Sequence, residues 1–197
     1  YPDGTAALSG VSAEIRPGER VALAGQNGSG KTTLIKLLSG LLAPAGGQVR
    51  YRDKPLAGEN LDHARLEIGV LFQDPDDQLF MHSIIEDAAF GPRQQGWPQQ
   101  EAQLAARRAL DRVGLLHLAY KAPHNLSFGQ KKRAALAGLL AMDPEVLLLD
   151  EPTANLDPGQ EQVFLDLLKD FSGTLICISH DLIFLYELCQ RVIVLDH

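Results

Sequence analysis

Four apolar residues, Val21 to Ala24, lead into the loop GQNGSGKT, Gly25 to Thr32, which opens directly into KTTLIKLLSGLL. That order admits few folds. The apolar run reads as a strand buried on both faces, and Leu34, Leu37, Leu38 and Leu41 recur at helical spacing after the loop. The loop matches the phosphate-cradling pattern G-x-x-x-x-G-K-[ST] in full, in the strand-to-helix context that confirms it. Gly25, Gly28 and Gly30 let the backbone approach closely and aim its N–H groups inward, with Gln26, Asn27 and Ser29 completing the loop. The helix N-terminus adds a positive dipole end. Lys31 is placed to reach β- and γ-phosphates, the Thr32 hydroxyl to hold magnesium, and Thr33 to bond phosphate nearby. An ordinary glycine turn with a chance lysine would leave the flanking strand and helix unexplained.

The segment EVLLLDEPT supplies an acidic partner. Val146 to Leu149 carry Asp150 to the C-terminal edge of a sheet, where open α/β folds bind ligands. Asp150 can orient magnesium, directly or through water, and Glu151 can accept a proton from an attacking water. Standing alone, the acidic pair would read as a solvated strand end. Beside a complete phosphate loop it reads as the second half of a nucleotide site.

The remaining text alternates. VSAEIRPGERVALAG reads as two strands, the first with Val11, Ala13 and Ile15 on one face, joined by a turn at Pro17–Gly18. Gly46–Gly47 breaks to a short strand at QVRY, and EIGVLFQ, Glu67 to Gln73, reads as another buried strand. Residues 74–142 are mostly helical: Pro98 opens QQEAQLAARRALDRVG, ending at Gly114, and Ser127 caps SFGQKKRAALAGLLAM. Strands return at EVLLLD, TLICIS and RVIVLD, with helices over Pro158 to Phe171 and Asp181 to Cys189 between them. Such alternation predicts a parallel sheet covered on both faces, with residues 1–73 and 143–197 as core and β lobe and 74–142 as an inserted helical lobe.

Composition narrows the partners. A net charge of −7 argues against a nucleic-acid binder, because phosphate backbones reward basic surfaces. Cys177 and Cys189 sit in apolar stretches without metal or C-x-x-C spacing, so they read as reduced core residues of a cytosolic protein. No apolar run approaches the ~18 residues a bilayer span needs, so other chains would have to hold this one at a membrane. Both ends read as trimmed: Tyr1 enters a turn-rich YPDGT, and the chain stops directly after RVIVLDH.

GQNGSGKTT, LSFGQ, LLLDEPTANLD and ISHD occur in the order of an ABC-type ATPase, and the chain resembles that family over essentially its whole length. The resemblance implies a P-loop NTPase (RecA-like) α/β core with an antiparallel β lobe and an inserted α-helical subdomain. It implies ATP and Mg2+ as bound species. Tyr1 resembles the aromatic that stacks on adenine, Gln73 the glutamine that touches magnesium and the attacking water, and His180 the histidine on the γ-phosphate. Asn155 to Asp157 resembles the segment that signals across a dimer. Judged by themselves, Gln73 could cap its strand, His180 could start a helix, and Tyr1 could be a frayed end.

The resemblance also explains why one chain carries a second phosphate-gripping stretch, NLSFGQKKR. In this family two chains pack head to tail, and Ser127, Gly129 and Gln130 of one face the nucleotide of the other, implying a homodimer. Lys131, Lys132 and Arg133 are expected to face solvent or neighbouring helices. Phe128 stands where the family usually has glycine, and the C-terminal extension of many relatives is expected to be absent.

FQDPDDQLF and EDAAFGP resemble the ATPases of energy-coupling-factor importers, most of all the cobalt and nickel uptake group. This implies a peripheral subunit on the cytoplasmic face, with Leu79, Phe80 and Met81 offering an apolar contact to integral membrane subunits and Asp76 and Asp77 meeting basic residues. Without the resemblance the stretch reads as a solvated loop. A soluble ABC clamp on nucleic acid or ribosomes is the alternative, opposed by the acidic charge. A phosphate-loop kinase has no reason to combine Gln73, LSFGQ and His180.

Overall fold

The computed structural model describes residues 7–196. Its elements run β1 (Arg20–Gly25), α1 (Lys31–Leu38), β2 (Arg50–Tyr51), β3 (Lys54–Pro55), α2 (Glu59–Glu67), β4 (Ile68–Leu71), α3 (Ile84–Gln94), α4 (Gln99–Arg112), α5 (Phe128–Ala141), β5 (Val146–Asp150), α6 (Pro158–Lys169), β6 (Thr174–Ile178), α7 (Leu182–Leu188) and β7 (Arg191–Leu195). The main sheet has the order β4-β5-β6-β1-β7, and all its pairings are parallel. A small antiparallel pair, β2 and β3, stands apart. The fold is that of a P-loop α/β protein.

The apolar runs become strands because the sheet is buried on both faces. Successive residues of β5 serve opposite layers: Leu147 and Leu149 pack with α3 to α7, whereas Leu148 joins Val21, Leu23 and Ile35 on the α1 and α2 side. Helices α3, α4 and α5 meet through small residues, among them Ala88, Ala106 and Ala135, which allow close helix contact.

Three expectations change. Residues 11–16 form no strand: Val11 and Ala13 are exposed, and among the described residues the backbone there has no ladder partner. The strand expected to run to Gln73 ends at Leu71, leaving Gln73 in the bend that follows. The apolar side of α1 centres on Ile35, with Leu34 and Leu38 beside it, while Leu41 lies beyond the helix end and is 52% exposed.

Candidate functional site

The phosphate loop is shaped by contacts behind it. A Cβ on Gly25 would lie 2.5 Å from the Leu195 carbonyl oxygen, and one on Gly30, where φ is 90°, would lie 2.6 Å from that of Ala7. Only glycine lets the loop pass both points. Ser29 N–H donates to the Gln26 carbonyl (3.1 Å), closing the turn, and the Ser29 side chain is buried. Lys31 curls over the loop, Nζ donating to the carbonyls of Gly25 (2.8 Å) and Gln26 (2.9 Å).

Beyond this loop opens a cleft of about 680 Å³. Asn27, Gly28, Gly30, Lys31, Thr32 and Thr33 line one side of it; Gln73, Asp150, Glu151 and His180 line the other. Of the residues expected to bind nucleotide in the loop, Gly25, Gln26 and Ser29 support the cleft without lining it. Tyr1 lies outside the described residues.

Asp150 ends β5, only 7% exposed. Burial raises its carboxyl above the usual range, opposed by the Thr32 hydroxyl and by the charges of Lys36, Lys132 and Lys31. This pair would suit a magnesium ion, a hard cation held by carboxylate and hydroxyl oxygens. Among the described residues no cluster of three or more His, Cys, Asp or Glu could form an all-protein cage instead.

Glu151 follows in a left-handed conformation, φ 49°. Its Oε2 accepts the His180 backbone N–H (3.2 Å), and His180 Nε2 lies 3.4 Å from Oε1. That second contact is close enough for attraction but lies outside hydrogen-bond geometry, so the buried Oε1 keeps an acceptor position without a partner.

Ser127, Gly129 and Gln130 do not line this cleft. They begin α5, where a capping box forms: Ser127 Oγ accepts from Gln130 N–H (3.3 Å) and Ser127 N–H donates to Gln130 Oε1 (2.9 Å). Asn155, left-handed at φ 63°, does line the cleft, and Asp157 caps α6.

The cations after the capping box all find neighbours. Lys131 pairs with Asp76 (2.6 Å), and Arg133 donates to the Val113 carbonyl (3.0 Å). Lys132 is wholly buried and donates to the carbonyls of Glu151 (2.6 Å) and Pro152 (3.0 Å). Desolvation lowers its ammonium to about 8, against the opposing charges of Glu151 and Asp150. Sequence reasoning missed this site, and also Glu161, which lines the cleft. A signal was present for the first: Gly129, Lys132, Leu136 and Leu139 recur at helical spacing and all are buried.

Residues 8–154 match the ABC transporter family. The chain belongs to that family. Energy-coupling factor transporter ATP-binding protein EcfA of Methanocaldococcus jannaschii is 45% identical over 186 residues, covering 92% of this chain and 67% of its own. Among solved structures, cbiO1 from Clostridium perfringens, part of the ABC transporter complex cbiONQ, agrees with a TM-score of 0.87 at 42% identity, over 100% of this chain and 80% of that one. A dimeric ATP-binding cassette in a post-hydrolysis state, bound to ADP and Pi, agrees with a TM-score of 0.88 at 28% identity, over 96% and 86% of the two chains. This ABC family member is therefore an ATPase, and the cleft between its phosphate loop and the end of β5 is the candidate nucleotide site.

Proposed function

We propose that this ABC ATPase powers an importer of the energy-coupling-factor type, carrying cobalt or nickel ions, as a homodimer seated peripherally on the cytoplasmic face of integral membrane subunits. The likeness to cbiO1 over the whole chain is the observation that carries this reading, and the EcfA relative supports it. The division into a sheet core with β lobe (1–73 and 143–197) and a helical lobe (74–142) belongs to the same reading.

Within the cleft, Lys31 and the loop N–H groups hold the β- and γ-phosphates. Asp150, Thr32 and Gln73 would hold Mg2+, which supplies charge neutralisation on the phosphates. Glu151, whose side chain lines the cleft, takes the proton of the attacking water, and His180 supports the γ-phosphate side. The position of Ser127 outside its own cleft suits a role toward a partner's ATP: a hydroxyl and the start of a 14-residue helix both favour phosphate.

Three variants separate the two phosphate-binding stretches. Lys31→Ala loses ATP affinity in the monomer. Ser127→Asp keeps a strong helix cap but sets a carboxylate against phosphate, so it binds ATP normally as a monomer and fails to close the dimer. Ser127→Ala weakens closure by roughly tenfold or more, the worth of a charge-assisted hydrogen bond of ~1.5–3 kcal/mol. Nucleotide titration of monomers and light scattering with ATP and magnesium check both; loss of monomer binding in the Ser127 variants would refute the partner-facing role.

Of the apolar residues expected at a membrane contact, the proposal keeps Phe80. Leu79 packs against the core and Asp76 is taken by Lys131, whereas Phe80 is 64% exposed, its ring 5.0 Å edge-on from Phe90. Phe80→Ser gives up an aromatic pair worth ~0.5–1.5 kcal/mol and the apolar contact, and is expected to spare ATP binding while lowering the yield of membrane complex. Copurification from detergent-solubilised membranes is the readout. An integral membrane subunit in the wild-type preparation supports the importer, ribosomes or DNA overturn it, and an undiminished Phe80→Ser yield counts against this surface.

A further inference from the structure

The signature stretch and the catalytic strand end are joined by one side chain. Lys132, on the second turn of α5, is among the largest fully buried side chains of the described residues. Its Nζ reaches the carbonyls of Glu151 and Pro152 and lies 5.6 Å from the centre of the Phe128 ring. The backbone it grips is the left-handed turn at Glu151, a conformation costly for a side chain with a Cβ. Glu151 is otherwise held there by its N–H donating to the Ile178 carbonyl (2.9 Å) and its own carbonyl receiving Ala154 N–H (3.2 Å). On the same helix, Lys131 ties to Asp76, in the segment just after Gln73. Helix α5 is thus tied to the backbone at Glu151 and Pro152 by Lys132 and, through a side-chain ion pair, to the segment that follows Gln73.

A buried ammonium is costly unless its hydrogen bonds are met, and a methionine would fill the slot at less cost. We propose that Lys132 is a positioning residue for hydrolysis: through the Glu151 and Pro152 carbonyls it fixes the left-handed turn that aims the Glu151 carboxylate, and ties that aim to the seating of helix α5. This rests on the reading of Glu151 as the base. It makes the amino end of α5, which would face a partner's phosphate, mechanically continuous with the base of its own chain's site. The Phe128 ring covers the ammonium, which gives the unusual aromatic in LSFGQ a place in the same device.

The test uses the native full-length protein, as it occurs with its partners. Lys132→Met keeps the apolar stem and removes every donor. Expected are ATP binding and KM within about twofold of wild type, and kcat lower by about 10- to 100-fold, the scale of a misplaced catalytic group. Lys132→Gln returns a neutral N–H donor, one bond short, and recovers part of the rate. In a Glu151→Gln background, Lys132→Met adds no further loss, because the group it aims is gone. A wild-type kcat in Lys132→Met overturns the proposal, as does an equal further loss in the Glu151→Gln background. Should Lys132→Met not fold, Lys132→Gln alone and in that background is read by the same criteria. Wild-type turnover by Glu151→Gln itself would instead remove Glu151 as the base, a separate failure.

Discussion

Glu151→Gln is expected to bind ATP as tightly as wild type and to hydrolyse it about 10²- to 10⁴-fold more slowly, the range for loss of a general base. The amide keeps the size of the carboxylate and can still accept the His180 backbone N–H now received by Oε2. What it loses is the basicity of the carboxylate that lines the cleft. Asp150, Thr32 and Lys31, the residues that would hold phosphate and metal, are untouched. Because ATP would join two copies and hydrolysis release them, the variant accumulates as an ATP-bound dimer. Light scattering with and without ATP and magnesium reads this directly. Hydrolysis at the wild-type rate would falsify the assignment.

Gly129→Val is expected to be the other near-silent enzyme, for one reason the structure shows and one that the proposed partner-facing role supplies, and the two can be separated. A Cβ at Gly129 would lie 1.3 Å from Gln160 Oε1 within the same chain. It would also stand where a partner's phosphate would approach the backbone. Gln160 is a flexible side chain and can swing aside, so Gly129→Val with Gln160→Ala removes the first obstacle and leaves the second. If the phosphate approach matters, the double variant stays at least about 10²-fold below wild type, comparable to losing an oxyanion-type donor. Recovery of full activity in the double variant would mean that Gly129 serves only to seat Gln160. Phe128→Gly is the control: its ring lies over Lys132 rather than in the cleft, so it shifts the maximal rate only a few-fold.

Much of the site was legible because its parts are local. The phosphate loop needs a strand, glycines and a helix start in one continuous stretch, and a chain that contains them has little else to do with them. The Ser127 cap is local too, since Ser127 and Gln130 satisfy each other three residues apart. The strands β1, β5 and β6 were legible because a parallel strand covered on both faces must be apolar at every position. Residues 11–15 show the limit of that reasoning. Their alternation provides a face, but among the described residues no strand pairs with them, and a strand exists only where a neighbour completes its ladder.

By itself the sequence determined the glycine loop between a buried strand and a helix, which carboxylates end a buried strand, and the order of strand and helix that brings them to one sheet edge. These follow from short-range rules of backbone geometry, periodicity and capping. Only the tertiary structure decided that Leu79 packs against the core while Phe80 stands exposed, and that Lys132 is buried with its ammonium on the Glu151 and Pro152 carbonyls. Each of these depends on which surface meets which across many residues of chain. A lysine is cationic in any sequence, but whether it meets water or two carbonyl oxygens depends on how α5 packs beside the end of β5.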